Sequence, residues 1–298
     1  MNLAYLAISD ICNYKCENCP CKRKRKNVIE FEEFKEYIEK IKKEKDVERI
    51  VLSGGEPTIH PQFFEILKYL NSKGMHITLL SNGSMLSNLE FIENIKKSFD
   101  INRLNIVMTL YNVSEKKHDI GTGVKGSFRN TLLAFDLLIE NNIEVKLKYC
   151  ISKENYKSIS KFLKYFDKRF PENVSFQITS LDFSGMSIEQ KKKNYYKYKN
   201  VKYHLNKALR SFNDKRELII VNTPLCASNY KYWKYYVKKQ KKAYDSYKST
   251  TTESKKVKYD CDCFSKKCKK CKVYDICPGI YKTNYEYIGD KLVKAIKR

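Results

Sequence analysis

Three cysteines near the start of the chain have the spacing of metal ligands. Cys12, Cys16 and Cys19 form a Cys-x3-Cys-x2-Cys loop directly after a short apolar segment. Thiolates grouped closely along a chain are the usual ligands of 4Fe–4S clusters. Three thiolates leave one of the four irons without a protein ligand. The loop therefore predicts a cluster whose open iron holds a substrate or a cofactor, which is typical of an enzyme.

A glycine-rich motif follows the next apolar segment. Residues 51–57 read Val-Leu-Ser-Gly-Gly-Glu-Pro, and the paired glycines let a ligand approach the backbone closely because they carry no side chain. The carboxylate of Glu56 can hold an ammonium group. Residues 81–83 (Ser-Asn-Gly) follow a third apolar segment and add further polar groups. These motifs indicate a ligand beside the cysteine loop.

The cysteine loop and the Gly-Gly-Glu-Pro motif together closely resemble the radical S-adenosylmethionine (SAM) superfamily, over roughly residues 3–180. The resemblance implies that Cys12, Cys16 and Cys19 would ligate three irons of a 4Fe–4S cluster. The fourth iron would chelate the amino and carboxylate groups of SAM. An electron placed on the cluster would cleave SAM reductively to a 5′-deoxyadenosyl radical, which would abstract a hydrogen from the substrate. The cofactors would supply this chemistry while the protein orients them.

The same resemblance implies which residues contact SAM. Glu56 would lie near the methionine ammonium, and Asn82 and Thr109, at the ends of the third and fourth strands, would contact the ribose. One position departs from the family pattern, because the residue before the third cysteine is commonly aromatic and packs near the adenine, whereas here it is Asn18. The implied cofactor-binding residues are Gly54, Gly55, Glu56, Pro57, Asn82 and Thr109.

A second set of cysteines lies near the end of the chain. The spacing Cys268-x2-Cys271-x5-Cys277 resembles the C-terminal SPASM extension of radical SAM enzymes, or its shorter Twitch form, over residues 222–290. The full SPASM pattern has another cysteine where this chain has Tyr281. Two fully ligated clusters need about eight cysteines and this part of the chain has six, so we predict one auxiliary 4Fe–4S cluster. Its predicted ligands are Cys226, Cys268, Cys271 and Cys277, with Cys261 or Cys263 as rivals for the fourth position.

Zinc is the alternative metal for both sets, because tetrahedral zinc is held by thiolates at similar spacing. In the first set, Cys21 is available as a fourth zinc ligand. That interpretation leaves the Gly-Gly-Glu-Pro motif unexplained. In the second set, the same cysteines would form a zinc knuckle.

The elements that must position these residues alternate between strands and helices. Apolar runs at strand length are separated by segments with helical periodicity, which is the pattern of βα units and a parallel sheet. Six units are two short of a closed eight-stranded barrel, so we predict an α/β fold with a partial (β/α)6 TIM-type barrel. Chemistry in such sheets gathers at the carboxyl ends of the strands. The predicted strands are residues 3–9, 49–52, 76–80, 104–110, 145–151 and 174–179, and the helices between them are 31–42, 61–73, 88–98, 128–141 and 158–166.

The alternation fades after about residue 185, which suggests three parts. We predict a radical SAM core at residues 1–185, a helical connector at 186–221 and a small cysteine-rich auxiliary-cluster domain at 222–298. The connector contains a predicted helix at 195–212 and a short strand at 218–221.

Weaker candidates lie on the same rim of the predicted barrel. Cys150 ends the fifth strand and would face the cavity as a hydrogen-atom donor, as an epimerase needs, although a small buried cysteine is more often a packing residue. Tyr111 and Lys148 are candidate substrate contacts. His118 and Asp119 precede two glycines, which favours a helix start with a capping aspartate over a metal or acid–base pair.

Composition limits the function classes. No apolar run is long enough to cross a bilayer and no targeting segment is visible, so we expect a cytoplasmic protein with reduced thiols. The net charge is +25, and Lys and Tyr are concentrated in residues 191–203 and 231–260. Such tracts suit an acidic partner, but a solvated surface is the more conservative interpretation.

Three functions follow from these observations. The first is a radical SAM enzyme that modifies a ribosomally made peptide by a crosslink, a thioether or an epimerisation. Because the chain begins at the first strand, we expect a separate protein to recognise the peptide's leader. The second is a radical SAM dehydrogenase or epimerase of a sugar, cyclitol or nucleotide, and the third is a zinc-ribbon nucleic-acid-binding protein. Either enzyme needs an electron donor such as a flavodoxin or ferredoxin.

Overall fold

A computed structural model describes residues 2–19, 27–237, 245–248, 255–257 and 261–296. Cys21, the candidate fourth zinc ligand of the loop, lies outside the described residues. So does much of the second basic tract, at residues 238–244, 249–254 and 258–260.

Parallel strands in sequence order form the body of the protein. In the described part of the chain one sheet has the order β7-β6-β5-β4-β3-β2-β1-β8-β9, in which β1 to β8 run parallel to one another and β9 pairs antiparallel with β8. All six predicted strands are confirmed, and the short strand at 218–221 joins the same sheet as β7. The strands are β1 (Asn2–Ser9), β2 (Val47–Gly54), β3 (His76–Ser81), β4 (Leu104–Thr109), β5 (Glu144–Ile151), β6 (Ser175–Ser180), β7 (Leu218–Val221), β8 (Asp245–Lys248) and β9 (Lys255–Val257).

Helices connect the strands and cover one face of the sheet. Their apolar residues recur at helical spacing; in the sixth helix Ile159, Phe162, Leu163 and Phe166 are all buried. None of the described helices is long and apolar enough to cross a membrane. The helices are α1 (Phe31–Lys45), α2 (Phe63–Ser72), α3 (Leu89–Ser98), α4 (Glu115–Thr122), α5 (Ser127–Glu140), α6 (Ile159–Arg169), α7 (Ile188–Asn194), α8 (Tyr198–Arg210) and α9 (Lys282–Ile288).

The two faces of the sheet differ in chemistry. In β5, Leu147, Tyr149 and Ile151 are buried, and the Tyr149 ring packs at a tilt against Phe162 of α6 with 4.1 Å between ring centroids. Alternation along a strand turns the intervening residues, including Lys148 and Cys150, toward the opposite, concave face. The helix-covered face therefore carries the hydrophobic core, and the concave face is left for a ligand.

The cysteine-rich C-terminal region packs against the same hydrophobic core and contains a second sheet. Two short strands, β10 (Cys261–Asp262) and β11 (Ile280–Tyr281), pair antiparallel. Gly279 has a φ of +82°, and a Cβ there would lie 2.2 Å from the carbonyl carbon of Asp262. Only glycine fits this close approach, so the turn is encoded by that residue.

Candidate active site

The Cys-x3-Cys-x2-Cys loop lies at the carboxyl end of β1, as predicted. Its three thiols are partly buried, and no described cysteine forms a disulfide. The N–H of Tyr14 donates to Sγ of Cys12 over 3.4 Å, and Nδ2 of Asn82 approaches the same sulfur at 3.9 Å. The loop thus places three thiols, none of them in a disulfide, at the strand end where sheets of this kind place their chemistry.

Gly54 and Gly55 bring the end of β2 against the backbone of this loop. The N–H of Gly55 donates to the Ser9 carbonyl over 2.6 Å, and the N–H of Glu56 donates to the Ile11 carbonyl over 2.8 Å. A Cβ on Gly55 would lie 2.0 Å from the Ile11 oxygen, and a Cβ on Gly54, where φ is +129°, would lie 2.2 Å from the Ser9 oxygen. The paired glycines therefore let the backbone of the cysteine loop pack directly against the end of β2, in addition to leaving space for a ligand.

The Glu56 carboxylate is buried and fixes the ends of two strands. Its Oε1 accepts hydrogen bonds from the Thr58 hydroxyl at 2.6 Å and the Ser81 hydroxyl at 2.8 Å. Its Oε2 accepts from the Asn82 N–H at 2.6 Å. Burial raises the pKa of Glu56, although these hydrogen bonds oppose the increase. Pro57 follows at the first position of a short 3-10 turn, Pro57–Ile59, which Glu56 caps.

Asn82 and Thr109 both lie at strand ends beside the loop. The Asn82 side chain donates to Oδ1 of Asn13 over 2.8 Å, and its own Oδ1 accepts from the Ser84 N–H at 2.8 Å. Asn82 is thus held against the cysteine loop. Thr109 ends β4, is half-buried and pairs in register with Lys148.

The end of α4 supports the loop from another side. The N–H groups of Lys15 and Glu17 donate to the carbonyls of Thr122 and Gly121, over 2.9 and 3.0 Å. Gly123 has a φ of +68°, and a Cβ there would lie 2.7 Å from the Lys15 oxygen. The glycines after His118–Asp119 therefore position the loop, a role that sequence reasoning missed.

His118 and Asp119 have structural partners. The predicted helix start at these residues is wrong, because both lie inside α4, which begins at Glu115. The Asp119 carboxylate instead accepts from the N–H groups of Gly126 and Phe128 and from the Ser127 hydroxyl at the start of the next helix, α5. Burial raises the pKa of Asp119, but these hydrogen bonds outweigh it and the net pKa is low. His118 is fully buried, its Nδ1 accepts from the Tyr111 N–H, and burial lowers its pKa to about 4.

Helix α7 contacts the loop between its second and third cysteines. Asn18, which stands where an aromatic residue is common, is 8% exposed and accepts a 2.6 Å hydrogen bond from Nδ2 of Asn194. Gln190 donates to the Glu17 carbonyl over 2.6 Å, and Lys193 forms an ion pair with the Glu17 carboxylate at 2.5 Å. No sequence signal pointed to these contacts, because α7 reads as a basic surface segment.

Cys150, Tyr111 and Lys148 lie on the concave side of the sheet. Burial raises the pKa of the Cys150 thiol, and the neighbouring Lys148 ammonium opposes this. Burial also raises the pKa of Tyr111 well above its usual value, with further contributions from Cys16 and Cys150. Tyr111 therefore lies close to both the cysteine loop and Cys150.

A separate pocket gathers the C-terminal cysteines. Five of the described cysteines line it, together with Pro224, Asp262 and Lys294; Cys261 is not among its lining residues. The five are Cys226, Cys263, Cys268, Cys271 and Cys277.

Backbone groups in this pocket point at sulfur. The Leu225 N–H donates to Sγ of Cys277 and the Ile296 N–H donates to Sγ of Cys271, both over 3.4 Å. Such hydrogen bonds tune cluster-bound thiolates. Burial raises the pKa of Cys226 to about 12, and hydrogen bonding to Cys268 and Cys277 raises that of Cys263.

In neither region are the side chains arranged for a single ion. Within the described ranges, no group of three or more His, Cys, Asp or Glu residues is placed to hold one metal ion.

Comparison with known proteins identifies the family. The model of the radical SAM superfamily matches residues 6–166, more than half of the chain. The protein therefore belongs to the radical SAM superfamily, whose enzymes use a 4Fe–4S cluster and SAM. This membership argues against the zinc-ribbon alternative.

Relatives of known activity match only in part. An S-adenosylmethionine-dependent nucleotide dehydratase of a Thermoplasmatales archaeon (strain ISO4-H5) is 26% identical over 55% of this chain and 56% of its own length. The antilisterial bacteriocin subtilosin biosynthesis protein AlbA of Bacillus subtilis (strain 168) is 27% identical over 48% of this chain and 32% of its own length. The chain thus spans about half, or less, of these relatives.

Solved structures share the fold over nearly the whole chain. Streptococcus suis SuiB, bound to its precursor peptide SuiA or to S-adenosylmethionine, matches with TM-scores of 0.65 and 0.66. Each comparison covers 99% of this chain, and 75% and 76% of SuiB, at 14% identity. The partial-barrel fold of the radical SAM enzymes is confirmed, and the shared fold extends into the cysteine-rich C-terminal region.

Proposed function

We propose that this protein is a radical SAM enzyme that modifies a ribosomally made peptide and carries one auxiliary 4Fe–4S cluster. The observation that supports this most is the five-cysteine C-terminal pocket, in a chain that shares its fold over 99% of its length with peptide-bound SuiB. The relationship to AlbA, a bacteriocin biosynthesis protein, also favours a peptide.

The loop residues have defined roles in this proposal. Cys12, Cys16 and Cys19 would hold the cluster that binds SAM, because their thiols form no disulfide and share one loop. When bound, the cluster and SAM supply the electron transfer and radical chemistry that begin the reaction. Glu56 would keep the ends of β2 and β3 together beside the methionine ammonium, with a buried carboxylate already oriented by hydrogen bonds.

Asn82 and Thr109 would contact the ribose from the ends of β3 and β4. Gly54, Gly55 and Pro57 would shape the backbone on which the methionine end lies, since the glycines permit the tight approach of β2 to the cysteine loop. Cys150 would face the substrate as a hydrogen-atom donor if the modification is an epimerisation. Its position on the concave face and its proximity to Tyr111 support this role.

The auxiliary cluster would be held in a SPASM- or Twitch-like domain at residues 222–298, after a core at 1–185 and a connector at 186–221. The pocket supports Cys268, Cys271 and Cys277 as ligands, with Cys226 or Cys263 as the fourth. Cys261 is a weaker rival because it does not line the pocket. A flavodoxin or ferredoxin would donate electrons, and the expected location is the cytoplasm.

An anionic small molecule is the second candidate substrate. Lys148 lies on the concave face in register with Thr109 and Gln177. Its ammonium group forms no ion pair with another described residue. A cation at that position suits a phosphate or carboxylate. The similarity to nucleotide dehydratases favours the same class.

One experiment separates the two substrates. The protein is coexpressed anaerobically with short open reading frames that flank its gene, and each peptide is analysed by mass spectrometry; the unmodified peptide is also treated with the purified, reconstituted enzyme in D2O. A crosslink or thioether removes two hydrogens, whereas an epimerisation introduces one deuterium. The product must be absent with the Cys16→Ala variant. If no flanking peptide changes while SAM cleavage is stimulated by nucleotides or sugar phosphates, the peptide proposal is wrong.

A further inference from the structure

Helix α7 lies against the part of the cysteine loop that separates the second and third thiols. Three of its residues, Gln190, Lys193 and Asn194, reach Glu17 and Asn18. Spacings of three and four place these side chains on one face of the helix. The loop residues they contact are the two between Cys16 and Cys19, so α7 acts on the segment that sets the distance between those thiols.

The oxygen and the nitrogen of the Gln190 side-chain amide bind different partners. Its Oε1 accepts from the Ser187 N–H at 2.9 Å and completes a capping box at the start of α7. Its Nε2 donates to the Glu17 carbonyl over 2.6 Å. The Glu17 N–H donates to Gly121 of α4. The backbone of Glu17 is therefore held at its N–H by one helix and at its carbonyl by another.

The Asn18–Asn194 contact is buried and directional. Asn194 is 1% exposed, and its Nδ2 donates to the Gln190 carbonyl over 3.0 Å as well as to Oδ1 of Asn18. A carbonyl can only accept, so the amide nitrogen of Asn194 must face it, which fixes the orientation of the side chain. Asn194 therefore donates and Asn18 accepts, inside the protein.

We infer that α7 is a clamp on the cysteine loop, and that Gln190 and Asn194 are positioning residues for the SAM-binding cluster. Each replaces water with a fixed donor to the Cys16–Cys19 segment. Ligands that must present a metal in one geometry depend on such supporting hydrogen bonds, whose loss typically costs about 10- to 100-fold in affinity. The clamp rests on the proposed assignment of Cys12, Cys16 and Cys19 as ligands of the SAM-binding cluster and is independent of the substrate.

Two isosteric substitutions test the clamp. Gln190→Glu keeps an acceptor for the Ser187 N–H, so the capping box remains, but it cannot donate to Glu17. Asn194→Asp places an acceptor against two acceptors, the Gln190 carbonyl and Asn18. Lys192→Ala is the matched control, because Lys192 is an exposed residue of the same short helix.

Each variant is reconstituted anaerobically, and iron content, SAM affinity by equilibrium dialysis and the EPR spectrum of the reduced cluster with and without SAM are measured. We expect SAM to bind about 10-fold more weakly to Gln190→Glu and Asn194→Asp, with an altered EPR response to SAM. Lys192→Ala should match the unmodified protein. Selective loss of the SAM cluster, with auxiliary iron retained, would equally support the clamp.

The inference is wrong if Gln190→Glu binds SAM with unchanged affinity and gives an unchanged EPR spectrum. Because Gln190 is only half-buried, the Gln190→Glu variant is expected to fold. It therefore tests the clamp even if Asn194→Asp fails to fold. Peptide modification is not measured in this experiment, so its result is independent of the proposed substrate.

Discussion

The two cysteine regions of this protein differ in the parts of the chain that supply their thiols. The Cys12–Cys19 loop takes all three thiols from one short segment, and its backbone is hydrogen-bonded to β1–β2, α4 and α7. The C-terminal pocket is lined by five cysteines, which come from segments as far apart in the sequence as Cys226 and Cys277. The described part of the first region has three cysteines and is held by backbone hydrogen bonds, whereas the second has five cysteines, one more than a four-iron cluster requires.

This difference predicts how each region responds to damage. The described part of the loop has no fourth thiol to replace a lost cluster ligand. A pocket with five thiols can exchange one sulfur for another with a small rearrangement. Substitutions in the loop should therefore abolish function, and those in the pocket should be graded.

The largest effect is expected from Cys16→Ala. Removing one of three ligands should eliminate the SAM-binding cluster, so formation of 5′-deoxyadenosine should fall to background. About four of the roughly eight irons should remain in the reconstituted protein, bound in the C-terminal pocket. Iron and sulfide analysis with a cleavage assay measures both. Unchanged cleavage would show that the cluster lies elsewhere.

Gly55→Ala should break the support of the loop without removing a thiol. The added Cβ would lie 2.0 Å from the Ile11 carbonyl oxygen, so the β2 end and the cysteine loop must separate. Overpacking of this kind costs about 3 kcal/mol or more in the free energy of unfolding.

Denaturant unfolding checks this cost, and Gly74→Ala is the control. A Cβ at Gly74 contacts nothing within 4 Å, although φ is +68° there. Only the conformational cost of about 1–2 kcal/mol is therefore expected. Equal destabilisation by the two substitutions would mean that the close approach does not matter.

Cys226→Ala and Cys263→Ala sharpen the comparison within the pocket. If the spare thiol can take over, each single variant should keep most of the auxiliary iron and the double variant should lose it. Mössbauer spectra of the three proteins, reconstituted in parallel, measure this. Loss of all auxiliary iron from one single variant alone would identify that residue as the obligatory fourth ligand and contradict the exchange.

The smallest effect concerns His118, beneath the loop. Burial lowers its pKa from 6.5 to about 4, so the unfolded chain binds a proton there more readily than the folded one. Stability should therefore be fully present above pH 6.5 and fall as the pH drops toward 4, by about 1–2 kcal/mol once partial relaxation is allowed for. Unfolding of the metal-free protein at several pH values, compared with His118→Leu, measures it. The same slope in both proteins would exclude His118 as its origin.

Features encoded within short segments could be predicted from the sequence. The six strands, the cysteine loop after β1 and the glycine motif after β2 depend on local hydrophobic runs and turn residues. The extension of the sheet by β7 depended on pairing with β6, which a short apolar run does not reveal.

Contacts between distant segments could not be predicted. Gln190 lies 173 residues from Glu17, and a lysine-rich stretch gives no sign that its amides face inward. Gly54 and Gly55 suggested space for a ligand, but the partner that requires their small size is the loop backbone. The choice among C-terminal cysteines likewise depends on how the chain folds back on itself, which brings Cys263 into the pocket and leaves Cys261 out of its lining.

The long separation between the cysteine loop and α7 has a consequence for biogenesis. Domains fold from the N-terminus as the chain leaves the ribosome. The three thiols emerge early, but Gly121 and Gln190, which fix the Glu17 backbone from its two sides, are synthesised much later. A nascent chain with only its first strands would present the thiols on an unsupported loop. Iron–sulfur assembly factors should therefore deliver the SAM-binding cluster after release of the barrel, and truncation before α7 should yield protein that accepts it poorly.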